Sequence, residues 1–216
     1  FGYQWLTPLL EPYYQTVDRQ AAEMGIRIVV TLLVMLLPFQ IYAALKKMKT
    51  GRFFGHCQGE WRDILGLVLI GLALNLLLTF TVGILALVLS WSNIQFTSSE
   101  LILQGKLPAV ILSLIYIVVI SPFCEEFIFR GVCLRSFGRM GNYFAIFASS
   151  LLFSFMHGNL INILPSFCLG VFLAVVTMRF NSILPPLLIH IAINLQTVAL
   201  QQVPVQYSWI IGLSCV

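Results

Sequence analysis

The sequence predicts an all-α protein: a polytopic membrane bundle of about seven or eight transmembrane helices, with a broken helix near Pro122. Three observations carry this expectation. Of 216 residues, 59% are hydrophobic and only 9% are charged, whereas a soluble domain carries about 25% charged residues. Uncharged stretches reach the roughly 20 residues that cross a bilayer at about 1.5 Å per residue. The apolar runs are continuous rather than alternating, which disfavours a β-barrel. A chain of this kind cannot clothe itself in a water-compatible surface. Soluble globular enzymes, disordered chains and basic nucleic-acid modules are therefore set aside, and no nucleic-acid partner is expected.

Residues 1–27 differ from the rest. Glu11, Asp18, Arg19, Glu23 and Arg27 are interspersed with Tyr3, Trp5, Tyr13 and Tyr14, the mixture of an amphipathic helix lying at the interface and starting after Pro12. The first uncharged stretch is 28–45. The second, 64–99, holds a span near 64–90 and then a polar loop at Ser90-Trp91-Ser92-Asn93. The third begins at Leu107, where Pro122 suggests a break within the bilayer. After Arg139 the only charged residue is Arg179, leaving two long blocks for further spans. Pro185-Pro186 reads as a helix start. Gly131, Gly158 and Gly170 read as close helix contacts. The chain begins at Phe1 rather than Met, as a piece of a longer chain does, and Tyr207–Val216 is too short for a full span.

Lys46, Lys47, Lys49, Arg52 and Arg62 make the first loop basic, and Arg135, Arg139 and Arg179 mark two later turns. The positive-inside rule puts these three loops on the cytoplasmic side. Five cysteines without a CxxC pair suggest neither a disulfide framework nor a thiolate zinc site. Packing is the expected role of all five.

The anomaly is acidic. Of eight Asp and Glu residues, two, Glu125 and Glu126, lie together in an apolar run. A carboxylate inside a bilayer costs about 2.5–3.5 kcal/mol on insertion scales. Such a pair persists where it is paired, metal-bound or functional. Glu126 and Arg130 are i and i+4 and share a helix face, while Glu125 points about 100° away from it. The bland alternative puts both glutamates in interfacial water.

Histidine is equally scarce. His56 lies in the polar first loop and reads as solvated, but His157 and His190 each lie in a long apolar block. His190 and Asn194, at i and i+4, share a face. Measured from the basic turns, Glu125 lies about 21 Å deep, His157 about 22 Å, His190 about 16 Å and Asn194 about 22 Å. Helices turning at 139–142 and 179 would bring these groups to similar levels.

A buried carboxylate, two histidines and an asparagine suit amide hydrolysis. In one version Glu125 activates water with help from His157, and His190 and Asn194 supply donors to the oxyanion. In the other, Glu125, His157 and His190 hold one divalent metal, zinc first among candidates, with Glu126 as base or, with Arg130, as support. HExxH is absent. Both versions stay open on residues alone.

Glu125-Glu126-x-x-x-Arg130, then Phe153-x-x-x-His157, then His190-x-x-x-Asn194 resembles, in order and spacing, the three motifs of the CAAX protease and bacteriocin-processing (CPBP, or Abi) intramembrane proteases. The resemblance covers about residues 107–200. It implies an eight-helix fold and an intramembrane endopeptidase cutting near the end of a membrane-associated or lipidated protein or peptide. By the same resemblance Glu125, Glu126, His157, His190 and Asn194 form the catalytic set, with Arg130 and Phe153 in support. It leaves open a metal or a glutamate-activated water. The chain then divides into an interfacial segment, 1–27, and a single transmembrane catalytic domain, 28–216. The expected setting is a multi-pass protein of a bacterial cell membrane rather than an organelle membrane.

Three rivals stand beside this reading. A Cys124 thiol with His157 as base is opposed by adjacent carboxylates, which disfavour a thiolate. A transporter would use the same intramembrane charges, but paired inverted repeats are not visible. A non-catalytic membrane scaffold or bacteriocin-immunity factor has no need to bury a glutamate with two histidines.

Overall fold

The computed structural model describes residues 18–55, 57, 59–91 and 106–202. Expectations for residues 1–17, His56, Ser92-Asn93 and Tyr207–Val216 lie outside the described residues. Among the described residues the secondary structure is helical, with no strand. There are six helices: α1 (Arg19–Leu45), α2 (Trp61–Ser90), α3 (Leu107–Met140), α4 (Asn142–Met156), α5 (Leu160–Phe180) and α6 (Leu184–Gln201). All but α4 are long and apolar enough to cross a membrane. Of the seven or eight spans expected, five lie within the described residues, and residues 1–17, 92–105 and 203–216 lie outside them.

The helix ends follow from the sequence. The Asp18 carboxylate accepts the Gln20 backbone N–H at 3.1 Å and caps α1. The helix then continues through residue 27 to Leu45, with no interruption between the charged segment and the apolar one. Gly141, at φ +108°, makes the turn into α4, and Gly158, at φ +64°, leaves that helix. Gly158 is therefore a turn residue rather than the helix contact expected, because an L side chain is strained in that region. The Asn159 side chain accepts from Ile161 N–H at 3.2 Å and caps α5. Asn181, at φ 50°, ends it in the left-handed conformation. Pro185 and Pro186 stand in the first turn of α6, where missing N–H groups cost nothing.

The expected break at Pro122 is not present: α3 runs through it. A π-helical turn at Tyr116–Ile120 lies just before the proline, with the Ser121 N–H bonded to the Tyr116 carbonyl five residues back. The extra residue in that turn makes room for the proline ring without parting the helix. The same device precedes Pro38, where Leu37 N–H bonds Leu32 C=O across the π turn Leu32–Leu36. A second π stretch in α3, Phe127–Cys133, follows the glutamates and is buried throughout.

The described residues group into two units. In the first, residues 18–48 and 106–124, α1 packs on the start of α3, and the hydroxyls of Thr31 and Tyr116 meet at 3.1 Å. The second, residues 49–91 and 125–202, contains α2, the remainder of α3, α4, α5 and α6. Leu173, Val176 and Phe180 of α5 and Ile189 and Ile193 of α6 form its main core, against Ile64, Leu67, Val68 and Leu72 of α2. A short 3-10 turn, Thr50–Phe54, seats Phe53 beside Gly131 and Phe127. The Phe53 carbonyl accepts the Ile183 N–H at 2.8 Å.

Gly59 holds that segment close to α5. Its φ is +151°, and a β-carbon there would lie 2.4 Å from the Phe180 ring. Both the backbone and the buried ring oppose a larger residue. Gly59→Ala is expected to cost about 1–3 kcal/mol. Thermal unfolding in detergent, read by circular dichroism, measures it; an unchanged midpoint would contradict the packing.

Candidate active site

Glu125 and Glu126 end the α-helical stretch Ser121–Glu126, and Arg130 lies in the π stretch that follows. Relative exposures of 9% for Glu125, 0% for Glu126, 1% for Arg130 and 3% for His190 exclude the reading of glutamates solvated at an interface. One Glu126 oxygen, Oε1, takes two partners. Arg130 Nη1 stands 3.1 Å from it, the ion pair expected from the i, i+4 spacing. His190 Nδ1 reaches it from α6 at 2.8 Å. Arg130 also donates from Nη2 to the Gly170 carbonyl of α5 at 3.2 Å. Three elements are thereby tied through one guanidinium and one carboxylate.

Glu125 points elsewhere, as the 100° offset requires. Its Oε2 lies 3.7 Å from His190 Nε2. That is beyond a direct hydrogen bond and close enough for one water to touch both groups. The two ring nitrogens of His190 therefore have different tasks: Nδ1 is held by Glu126 and Nε2 faces Glu125.

Phe153 lies at the centre of the set. Its ring is fully buried and carries the Arg130 guanidinium 4.3 Å above its centroid. It meets His157 at 4.8 Å and His190 at 5.8 Å, both edge-on, and Phe129 at 5.5 Å. Gly170 makes this packing possible, since a β-carbon there would lie 3.0–3.2 Å from Ser150 and Phe153. Sequence reasoning recognised Phe153 through its motif and Gly170 as a close contact. It missed the Gly170 carbonyl as an acceptor, for which a sequence holds no signal.

His157 is placed differently. It caps the C-terminal end of α4 and is exposed, and its Nδ1 lies 3.0 Å from the Phe153 carbonyl. A carbonyl only accepts, so Nδ1 carries the hydrogen and a neutral ring keeps its lone pair on Nε2. Asn194 lies one turn after His190 on α6, half-buried. Among the described residues no three His, Cys, Asp or Glu side chains gather closely enough to hold a metal ion. The suggested zinc ligands Glu125, His157 and His190 thus do not fit a metal in this arrangement. The Phe153 ring meets both His157 and His190.

Residues 107–196 match the family described as Rce1-like, type II CAAX prenyl endopeptidase Rce1-like. Over that segment, somewhat under half of the chain, the match supports assignment to the CAAX protease family. The matched segment contains all the motif residues, from Glu125 to Asn194. No curated protein and no solved structure matches the chain. With several helices long and apolar enough to cross a membrane, and with this match, the protein is an integral, multi-pass membrane protein. The match supports a CAAX prenyl protease-like peptidase.

Proposed function

We propose that the chain is an intramembrane endopeptidase in which Glu125 activates water and His190 receives the oxyanion. The observation that carries this reading is the divided histidine: Nδ1 on buried Glu126 at 2.8 Å, Nε2 facing Glu125 at 3.7 Å. With Nδ1 donating to a carboxylate, His190 offers a donor at Nε2 only as imidazolium. The buried charges then balance, with Arg130 and His190 positive and Glu125 and Glu126 negative. That balance lowers the cost of burying four ionisable groups together.

The chemistry runs in two steps. The Glu125 carboxylate takes a proton from water as the water oxygen attacks the scissile carbonyl carbon. The oxygen of the tetrahedral intermediate accepts hydrogen bonds from His190 Nε2–H and the Asn194 amide. The carbon–nitrogen bond then breaks, and the proton held by Glu125 passes to the leaving amine. His157, exposed at the end of α4, is assigned no step in this scheme. Glu126, Arg130 and Phe153 position His190 and do not touch the substrate. The substrate class is a membrane-associated or lipidated peptide cut near its end, in keeping with the family. The proposed setting is a bacterial cell membrane.

The test uses the protein in nanodiscs with a farnesylated peptide and its unmodified counterpart, the products identified by mass. The wild type is expected to cut the lipidated peptide at one bond near its C-terminus. His190→Gln is expected to lower kcat by about 10²–10³, the effect of losing one oxyanion donor. Because the three candidate ligands do not gather, 1,10-phenanthroline is expected to leave the rate unchanged. Failure to cut either peptide, or full activity in His190→Gln, would overturn the proposal.

A further inference from the structure

We propose that Asn75, on α2 and outside the family-matched segment, is a positioning residue for the proposed chemistry because it fixes the helix carrying His190 and Asn194. Asn75 is the only carboxamide in Trp61–Ser90, in a stretch of α2 that is otherwise almost wholly apolar. Its Nδ2 donates to Gln196 Oε1 at 2.8 Å and lies 3.4 Å from Thr197 Oγ1. Within a bilayer a polar side chain on an apolar helix bonds across to its neighbour rather than to solvent. The bond therefore specifies one register between α2 and α6.

Its place on α6 gives it consequence. Positions 190, 194 and 197 recur at i, i+4 and i+7 and share one helix face. Asn75 thus grips α6 two to three residues beyond Asn194, at Gln196 and beside Thr197. The Glu126 bond to His190 grips the same helix six residues, about 9 Å, earlier. One tie leaves a helix free to rotate or slide; two ties at that separation restrain both motions. Gly71, one turn before Asn75, reinforces the grip. A β-carbon there would come 2.7 Å from Ile189 and 3.5 Å from Ile193, so α2 lies close along the same part of α6. The sequence shows Asn75 only as an uncharged residue in a span, and its partner is 121 positions away.

This inference rests on the proposed role of His190, so its test has one readout that needs no activity. The protein is studied in nanodiscs as wild type, Asn75→Leu and the exchange Asn75→Gln with Gln196→Asn. The exchange keeps a carboxamide pair of the same summed length. With ¹⁵N-labelled histidine, the three imidazoles are resolved by single replacements. Asn75→Leu is expected to shift the His190 signals and leave those of His157 in place. On the farnesylated peptide, Asn75→Leu is expected to lower kcat roughly tenfold at nearly constant KM, as a displacement below about 1 Å would do. The exchange pair is expected to restore both the signals and most of kcat.

Unmoved His190 signals in a folded Asn75→Leu protein would overturn the inference. So would a full kcat in that variant, or an exchange pair that recovers thermal stability but not kcat. If His190→Gln retains full activity, the proposed site itself fails, whatever the spectra of the Asn75 variants show. The two failures are thereby distinguished.

Discussion

Glu125→Gln is expected to lower kcat on a lipidated peptide by roughly 10²–10⁴, the usual contribution of a positioned general base. KM is expected to stay within about twofold of wild type, because the lost interaction belongs to the proton transfer rather than to binding. The substitution keeps side-chain size and removes only the ability to take a proton. The Glu126–Arg130 pair is retained in this variant, and unfolding midpoints report whether the protein remains folded. Matched unfolding midpoints beside a collapsed kcat would identify Glu125 as a chemical rather than a structural residue. A Cys124→Ala variant should keep its activity, since the thiol has no part in the proposed steps.

Arg130→Met is expected to act through stability instead. The guanidinium is 1% exposed and holds Glu126, the Gly170 carbonyl and the face of Phe153. Methionine of similar length would leave the Glu126 carboxylate buried beside His190 alone. Removing one partner of a buried ion pair typically costs about 3–5 kcal/mol. The expected result is a large loss of folded protein, seen as a lower unfolding midpoint in detergent. Arg130→Lys should not rescue it, because an ammonium cannot serve carboxylate, carbonyl and ring with one planar group. Arg130→Met combined with Glu126→Gln should recover part of the loss by removing the orphaned charge. Equal midpoints for wild type and Arg130→Met would contradict this reading of the network.

Much of this arrangement was legible because charge is scarce in the chain. Two adjacent glutamates and two histidines in long apolar blocks stand out when only 9% of residues are charged. The i, i+4 rule gave the Glu126–Arg130 pair and sent Glu125 to a different partner. Helix boundaries at Pro185 and Asn181 follow from local chemistry that a sequence displays. Depth arithmetic brought Glu125, His157, His190 and Asn194 towards one level, and of these Glu125 and His190 come within 3.7 Å.

Other features depend on distances that no spacing rule supplies. Residue counts placed His157 as deep as Glu125, but α4 ends at Met156 and leaves the imidazole on its terminal turn. Proline was expected to break α3, yet a π turn absorbs it, because the backbone shifts its bonding by one residue. Which glutamate would hold His190 by hydrogen bond was not decidable from the sequence, since both are near it and only side-chain direction separates them. The Asn75–Gln196 bond joins residues that are remote in the chain and polar without being charged.

The central proposal is that Glu125 and His190 work as one catalytic unit. A double-substitution cycle tests it most directly: kcat/KM for wild type, Glu125→Gln, His190→Gln and both together, on one lipidated peptide in nanodiscs. Groups acting as a unit are grossly non-additive. The expected result is a double variant about as slow as the slower single variant. Losses that multiply, or either single variant working at the wild-type rate, would contradict it.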